Sequence, residues 1–561
     1  MFDLRPLITA QINGEDAGLV VDSGAWYSIL SMAGAARLKL RLESAPRGLG
    51  TLRGVTGSTA VEVATVKSLV LASVPLRNTQ FLVGGNEIGL DAVGLLGQNI
   101  LRLTDVEYDL ANGVVRLVRP HDCGRADLAY WVPVGQGYSV LGIESTTPRQ
   151  PSTRAIAFVN GQKIRVGLDT GSSSSTLSRR AAERAGFRVD AAGVVPAGVV
   201  FGLGRDSVQS WIAPFDSFRI GGEEVRHTRL RVADEGFLST ADIDMLLGDD
   251  FFLSHHIYVA TSQNKLYFTY NGGPVFNLAA GATQGTQPAP PPPTRTAAAS
   301  EPTDAAGFSR RGAALMSRHE YSQAIADLTR ACELAPKQPF YFYQRGVAYV
   351  QNQQSELGQA DLDHAIELKP DYVAALMARS ELRFRANDRS GASADLDVAE
   401  RALPKLSDVR LPLAQAYERL DLLPQAIYQD DLWIDAHRDD IEVASALNAR
   451  CRDRALLDQD LDRALDDCNA AVRGSSRAGG LRADALASRG LLYLRRGDYR
   501  RSISDYDAAL KQNPQLSDAL YGRGLAELRS GMSAAGREDM TSAAALRPNV
   551  ADVFTRHGVT P

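Results

Sequence analysis

Over about the first 275 residues the apolar positions fall in short runs that alternate or cluster, as in Leu7-Ile-Thr-Ala-Gln-Ile12, Val61-Glu-Val-Ala-Thr-Val66 and Gly113-Val-Val-Arg-Leu-Val118. Gly, Asn and Asp punctuate the runs. A period of two between turn residues predicts strands, and Asn112-Gly113 predicts a hairpin turn between two of them. Short helices are expected at Ser31 to Leu38 and at Arg179 to Ala185. Residues 281–306 lose apolar bulk and become Pro/Ala/Thr-rich, which predicts an extended, semi-rigid linker.

From about residue 305 the pattern turns helical and repeats every 34 residues. Small residues recur at Gly312, Gly346, Ser380 and Ala414, alanines at Ala331, Ala365 and Ala399, and prolines at Pro336, Pro370 and Pro404. After an insertion the frame resumes at Gly490/Gly524, Ala509/Ala543 and Pro514/Pro548, and Tyr349, Tyr417 and Tyr493 share one aromatic position. Small residues fit where two helices touch, and proline fits where the second helix stops. Seven units fit if residues 441–482 form one unit lengthened by eight. This resembles the tetratricopeptide repeat, which implies stacked antiparallel helix pairs and a surface for a protein partner.

The net charge of -5 over 561 residues gives no footprint for nucleic acid or an anionic membrane, and no apolar run is long enough for a membrane span. The start carries no secretory pattern, so a cytoplasmic location is expected for the chain as written. A bacterial periplasm or envelope is expected if an export signal precedes it. Cys123, Cys332, Cys451 and Cys468 form no CxxC; Cys332 and Cys468 read as small core residues, and a disulfide scaffold is not expected. His255-His256 and His121-Asp-Cys123 lack a matching second cluster, so no metal and no cofactor are expected. Asp242, Asp244, Asp249 and Asp250 read as a solvated acidic loop.

One duplication carries chemistry. Asp22-Ser-Gly-Ala-Trp-Tyr-Ser-Ile-Leu-Ser31 returns 147 positions later as Asp169-Thr-Gly-Ser-Ser-Ser-Ser-Thr-Leu-Ser178, each copy after an apolar run. Downstream, Gly94-Leu-Leu-Gly97 and Met245-Leu-Leu-Gly248 follow at similar distances, each leading into a strand pair. Glycine-containing hairpin candidates, Gly50 to Gly57 and Val200 to Gly204, lie between. Two carboxylates in matched frames can share a proton and activate a water. Phosphate-loop, His-Glu-x-x-His and Gly-x-Ser-x-Gly motifs are absent.

The order strand, Asp-Ser/Thr-Gly, helix, flap hairpin, Leu-Leu-Gly resembles the aspartic proteases over about residues 5–272. The lobes are short, as in the retroviral type, but one chain supplies both. The resemblance implies a catalytic dyad of Asp22 and Asp169. It implies that Ser23 and Thr170 bond across the lobe interface and that Gly24 and Gly171 allow close approach. Ser172 would hydrogen-bond one carboxylate. Peptide would be clamped by flap backbone at Arg53-Gly54 and Gly202-Leu203, since neither flap shows the tyrosine of pepsin-like enzymes.

The expected architecture is multidomain: an all-β, aspartic-protease-like double lobe (1–120 and 121–275), a linker (276–305) and an all-α tetratricopeptide solenoid (306–555), the two halves each with its own core. The expected activity is that of an aspartic endopeptidase acting on a peptide or protein substrate, with repeats that dock substrate or partner. One chain is expected to suffice, as a monomer. The alternative is a non-catalytic peptide-binding scaffold.

Overall fold

The computed structural model describes residues 5–46, 51–54, 57–85, 92–121, 123–124, 126–133, 135–144, 151–200, 208–234, 242–273, 275–276, 302–438, 440, 442–475 and 480–561, with backbone alone for the strands at 51–60. The chain divides into two compact units, one of Met1–Gly204 with Val208–Leu382, the other of Arg205–Ser207 with Arg383–Pro561.

In the first lobe the strands are β1 (Leu7–Ile12), β2 (Glu15–Val21), β3 (Ile29–Leu30), β4 (Leu42–Ser44), the separate hairpin β5 (Thr51–Gly54) and β6 (Gly57–Ala60), then β7 (Glu62–Leu71), β8 (Val74–Val83) and β9 (Ala92–Leu96). Between the lobes come β10 (Asp105–Asp109), β11 (Val114–Val118) and β12 (Ser139–Gly142). The second lobe holds β13 (Arg154–Val159), β14 (Gln162–Leu168), β15 (Thr176–Ser178), β16 (Val195–Val200), β17 (Val208–Ile220), β18 (Glu223–Ala233) and β19 (Met245–Leu247), followed by β20 (His255–Ala260) and β21 (Lys265–Tyr270).

The duplication read in the sequence is a duplication of topology. The first sheet runs β1-β2-β9-β3-β8-β7-β4 and the second β13-β14-β19-β15-β18-β17-β16, the same order strand for strand. In each, the Leu-Leu-Gly strand lies parallel to the strand that ends in Asp, pairing Val21 with Leu96 and Leu168 with Leu247. A third sheet, β11-β10-β20-β21-β12, joins the lobes. Its central pairing sets Val106 opposite Val259 and Tyr108 opposite Ile257. The short helices are Met32–Arg37 and Arg179–Arg184, capped by the hydroxyls of Ser31 and Ser178, which accept from Gly34 N and Ala181 N. The turn at Asn112-Gly113 is longer than a two-residue hairpin, because a 3-10 turn at Leu110–Asn112 precedes Gly113 at φ +64°.

Seven helix pairs follow among the described residues, from Ala305–Ser317 with Tyr321–Leu334 to Ser517–Arg529 with Ser533–Leu546, before a last helix Val550–Arg556. The small-residue period marks close contacts: a side chain on Gly346 would lie 3.0 Å from the Gly358 carbonyl oxygen. A second period escaped the sequence reading. Arg311, Arg345, Arg450, Arg489 and Arg523 on first helices each grip an aspartate of the paired helix bidentately: Asp327, Asp361, Asp467, Asp505 and Asp539. Several also reach back to the preceding pair, as Arg379 does to Asp363 at 2.7 Å and Arg523 to Asp507 at 2.6 Å. Such forked, half-buried pairs fix helix register more firmly than exposed ion pairs.

Two expectations are corrected here. Cys468 is not a lone core residue but is bridged to Cys451 across the helices Val443–Leu457 and Leu461–Gly474, with Cα atoms 5.5 Å apart. A separation of 17 residues spans one helix–turn–helix and places the two side chains face to face, a relation hidden in linear spacing. The halves also do not have wholly separate cores. Ala314, on the first repeat helix, belongs to the core cluster of the two lobes. A side chain on Gly113 would lie 2.7 Å from Arg310 Cβ, and Arg318 Nη2 donates to the Gly272 carbonyl at 3.5 Å. The helix Ala305–Ser317 therefore packs on the turn of the joining sheet while forming half of the first repeat.

Candidate active site

Asp22 follows β2 and Asp169 follows β14. Their backbone N–H groups donate to the carbonyls of Leu96 (3.0 Å) and Leu247 (2.9 Å), so each Leu-Leu-Gly strand supports an Asp loop. The two loops are tied reciprocally. Ser23 N donates to Thr170 Oγ1 and Thr170 N to Ser23 Oγ, both at 3.0 Å, and Thr170 Oγ1 donates to the Val21 carbonyl at 2.6 Å. These hydroxyls are buried, so their loss would orphan donors across the lobe interface.

The tie brings the two carboxyls together. A side chain on Gly24 would lie 2.4 Å from Asp169 Cγ, and one on Gly171 would lie 2.4 Å from Asp22 Cγ. Each glycine is thus required by the other lobe's aspartate. The carboxyls hydrogen-bond to one another. Both residues are half-buried, and the protein around them raises both above the ordinary carboxylate range. Asp169 is raised further, by burial and then by the charge of Asp22.

The pair is not symmetric. Asp22 Oδ1 accepts from Gly24 N at 2.9 Å and Ala25 N at 2.8 Å, whereas Asp169 Oδ1 accepts from Gly171 N at 3.0 Å. The Ser172 hydroxyl does not reach a carboxylate as expected. It donates to the Ser174 carbonyl at 3.0 Å, because the run of serines offers a nearer local acceptor.

Beneath the loops lies a matched scaffold that the sequence reading missed. Gly97 N donates to Ser28 Oγ, which donates to Asn99 Oδ1; Gly248 N donates to Ser175 Oγ, which donates to Asp250 Oδ1. The signal was present as a serine six positions after each Asp and an amide or acid two after each Leu-Leu-Gly. Asp249 and Asp250 accordingly are not a solvated loop. They open the helix Asp249–Ser254 and are fully buried behind the site, where burial pushes Asp250 up to about 7 and Asp249 well above the usual range. Gln98, the counterpart of Asp249, donates to the Ser23 carbonyl at 2.7 Å. Arg5 is close enough for its charge to be felt by Asp22, Asp249 and Asp169, and its burial lowers its own pKa. Trp26 Nε1 crosses to Ser152 Oγ at 2.8 Å.

Arg53 and Gly54 lie in β5 of the first flap hairpin, opposite Ser58 and Gly57. Gly202 and Leu203 fall outside the described residues. Among the described residues no group of three His, Cys, Asp or Glu side chains is arranged to hold a metal, and no helix is long and apolar enough to cross a membrane.

A family model for gag-polyprotein aspartyl proteases matches residues 8–103, and one for aspartyl proteases matches residues 155–251. A tetratricopeptide repeat model matches residues 341–372 and 483–516. No curated protein matches the chain. Solved structures similar to it include the APC/C hetero-tetramer Cut9-Hcn1 (13% identity, TM-score 0.33, covering 46% of this chain and 50% of that one). Another is a tetratricopeptide repeat protein from Parabacteroides merdae (12%, TM-score 0.34, 45% and 98%), and a third is YrrB (15%, TM-score 0.24, 41% and 97%). The chain spans half the length of the Cut9-Hcn1 chain it matches.

Proposed function

We propose that this chain, which carries two aspartyl-protease lobes followed by tetratricopeptide repeats, is a single-chain aspartic endopeptidase whose repeats dock a protein substrate or partner. The observation that carries this reading is the facing of Asp22 and Asp169 across the reciprocal Ser23–Thr170 tie. Two carboxyls in contact cannot both ionise cheaply, so the pair holds one proton. Asp22, with two backbone donors on one oxygen, is the better-stabilised anion and acts as general base. Asp169 keeps the proton.

In the reaction Asp22 takes a proton from a water whose oxygen attacks the scissile carbonyl carbon. Asp169 gives its proton to the carbonyl oxygen. The resulting diol collapses as Asp22 passes its proton to the departing nitrogen and Asp169 recovers one from a hydroxyl, so the dyad ends as it began. The repeats contribute by holding a protein substrate near the cleft, which raises its local concentration without altering the chemistry.

A diverse peptide library tests the activity. Cleavage is expected, and a statine-type compound, whose hydroxyl mimics the attacked water, should block it. Since both half-sites come from one chain, specific activity should stay constant on dilution. A sharp loss on dilution, restored by concentration, would show instead that the working dyad forms between chains. No cleavage of any peptide would set the endopeptidase reading aside.

A further inference from the structure

The shared topology allows the two sides of the cleft to be compared position by position. In the first lobe Ile29 pairs with Leu82 on β8 and with Leu95 on β9, and Leu82 stands opposite Val63 on β7. In the second lobe Thr176 pairs with Arg231 on β18 and with Leu246 on β19, and Arg231 stands opposite Ile212 on β17. The positions correspond one to one: Ile29 to Thr176, Leu82 to Arg231, Leu95 to Leu246 and Val63 to Ile212. The same registers relate Val61 to Ser210, and Tyr27 and Ser174 each lie five residues beyond their aspartate.

In the first lobe these residues form an apolar cluster of their own, Ile29, Val61, Val63 and Leu82 with Tyr27 and Leu95, distinct from the main core. Tyr27, Ala45 and Leu95, which pack against it, are only partly buried. In the second lobe the floor stays apolar at Ile212 and Leu246, but the remaining positions are hydroxyls and a guanidinium. Arg231 is half-buried. Its Nη1 donates to Ser210 Oγ at 3.1 Å and more weakly to the Ala197 carbonyl at 3.4 Å, its Nε is buried with no acceptor, and it makes no ion pair among the described residues.

We infer that Arg231 is a specificity-determining residue that receives a carboxylate side chain of the substrate. This rests on the endopeptidase reading above. A half-buried guanidinium with spare donors gains most from a charged, forked acceptor, and an unpaired one is costly to maintain for stability alone. The charge of Asp250 reaches Arg231, but Asp250 Oδ1 is taken by Ser175 and Phe251 N, its Oδ2 accepts no hydrogen bond, and burial pushes the group up to about 7. In acid, where a dyad sharing one proton works, Asp250 is neutral and leaves Arg231 unbalanced.

The test is cleavage-site profiling with the full chain, followed by kcat/KM on paired peptides that differ by Glu or Gln at the preferred position. Glu should be favoured over Gln by about 10- to 100-fold, the worth of a charged hydrogen bond in a sheltered site. That ratio should grow as pH rises past the ordinary Glu pKa of about 4.3. Arg231→Met should erase the ratio by lowering kcat/KM for the Glu peptide far more than for the Gln peptide, and Arg231→Lys should keep part of it. Thermal unfolding of each variant shows whether the fold survives. If Arg231 only balances Asp250, Arg231→Met will lower stability and slow both peptides equally, and the inference falls. It also falls if the native chain cleaves without preference for Glu. If no peptide is cleaved, calorimetric binding of the same two peptides decides: tighter binding of Glu, lost in Arg231→Met, keeps the pocket while the endopeptidase reading fails.

Discussion

Replacing Asp22 or Asp169 by asparagine is expected to lower peptide cleavage by about 10³-fold, since in the proposed mechanism each carboxyl moves a proton. The amide is nearly the same size, and its oxygen can still accept from Gly24 and Ala25, or from Gly171, so the loops should keep their geometry. What is lost is the proton traffic. An amide in place of the Asp22 carboxylate cannot take a proton from water, and one in place of the Asp169 carboxyl has no acidic proton to give. Thermal unfolding of both variants should stay within a few degrees of the native chain or rise, because an amide removes the repulsion between two buried acids. Steady-state rates on one short peptide check this. Retention of a tenth of the native rate in either variant would remove the dyad from the mechanism.

Ending the chain before the first repeat helix is expected to cost activity even on short peptides, for which docking is irrelevant. The helix Ala305–Ser317 covers the turn at Leu110–Gly113 and contributes Ala314 to the core of the lobes. That turn continues β10, whose buried Tyr108 has as a side-chain neighbour Ser23, the residue that ties the two Asp loops. Removing the helix uncovers apolar surface and loosens the strand behind the dyad. A chain ending at residue 278 should unfold about 5 °C or more below one ending at residue 338, the shift expected for a loss of a few kcal/mol in a domain of this size. It should also cleave short peptides more slowly. Equal melting and equal rates for the two truncations would show that the helix is only a passenger on the lobes.

The fold is most legible in the sequence where a physical constraint repeats along the chain. The two Asp loops, the Leu-Leu-Gly strands behind them and the 34-residue period of small residues and prolines each recur in frame, because each copy must solve the same packing problem. The β-rich double lobe and the helical repeats were legible for that reason. What was not legible depends on which side chains meet across elements. The Ser28–Asn99 and Ser175–Asp250 brackets join residues more than seventy positions apart, and only the folded topology aligns them. Asp249 and Asp250 looked like a wet acidic turn because composition alone cannot report that a helix start lies under two lobes. The resemblance implies a bond from Ser172 to the dyad, but the local Ser174 carbonyl takes its hydroxyl. The Cys451–Cys468 bridge and the Arg–Asp grips belong to helix faces, whose pairing depends on the turn between them.

The pH dependence of kcat/KM for the full chain is the most direct test of the central claim, that two coupled carboxyls share one working proton. Both carboxyls are raised by burial, Asp169 the more, so the shared proton persists above the ordinary carboxylate range. Activity should therefore be high in acid, fall as pH rises and that proton leaves, and fall at still lower pH as the pair takes up its second proton, on Asp22. The same raised groups, with Asp250 up to about 7, bind protons in the folded state that the unfolded chain has already released. Stability should therefore decline as pH rises from about 4 through 7. A bell with its alkaline limb above the ordinary carboxylate range, abolished alike by Asp22→Asn and Asp169→Asn, is the predicted result. Activity that climbs steadily toward pH 8, or that titrates as one isolated carboxyl, would contradict it.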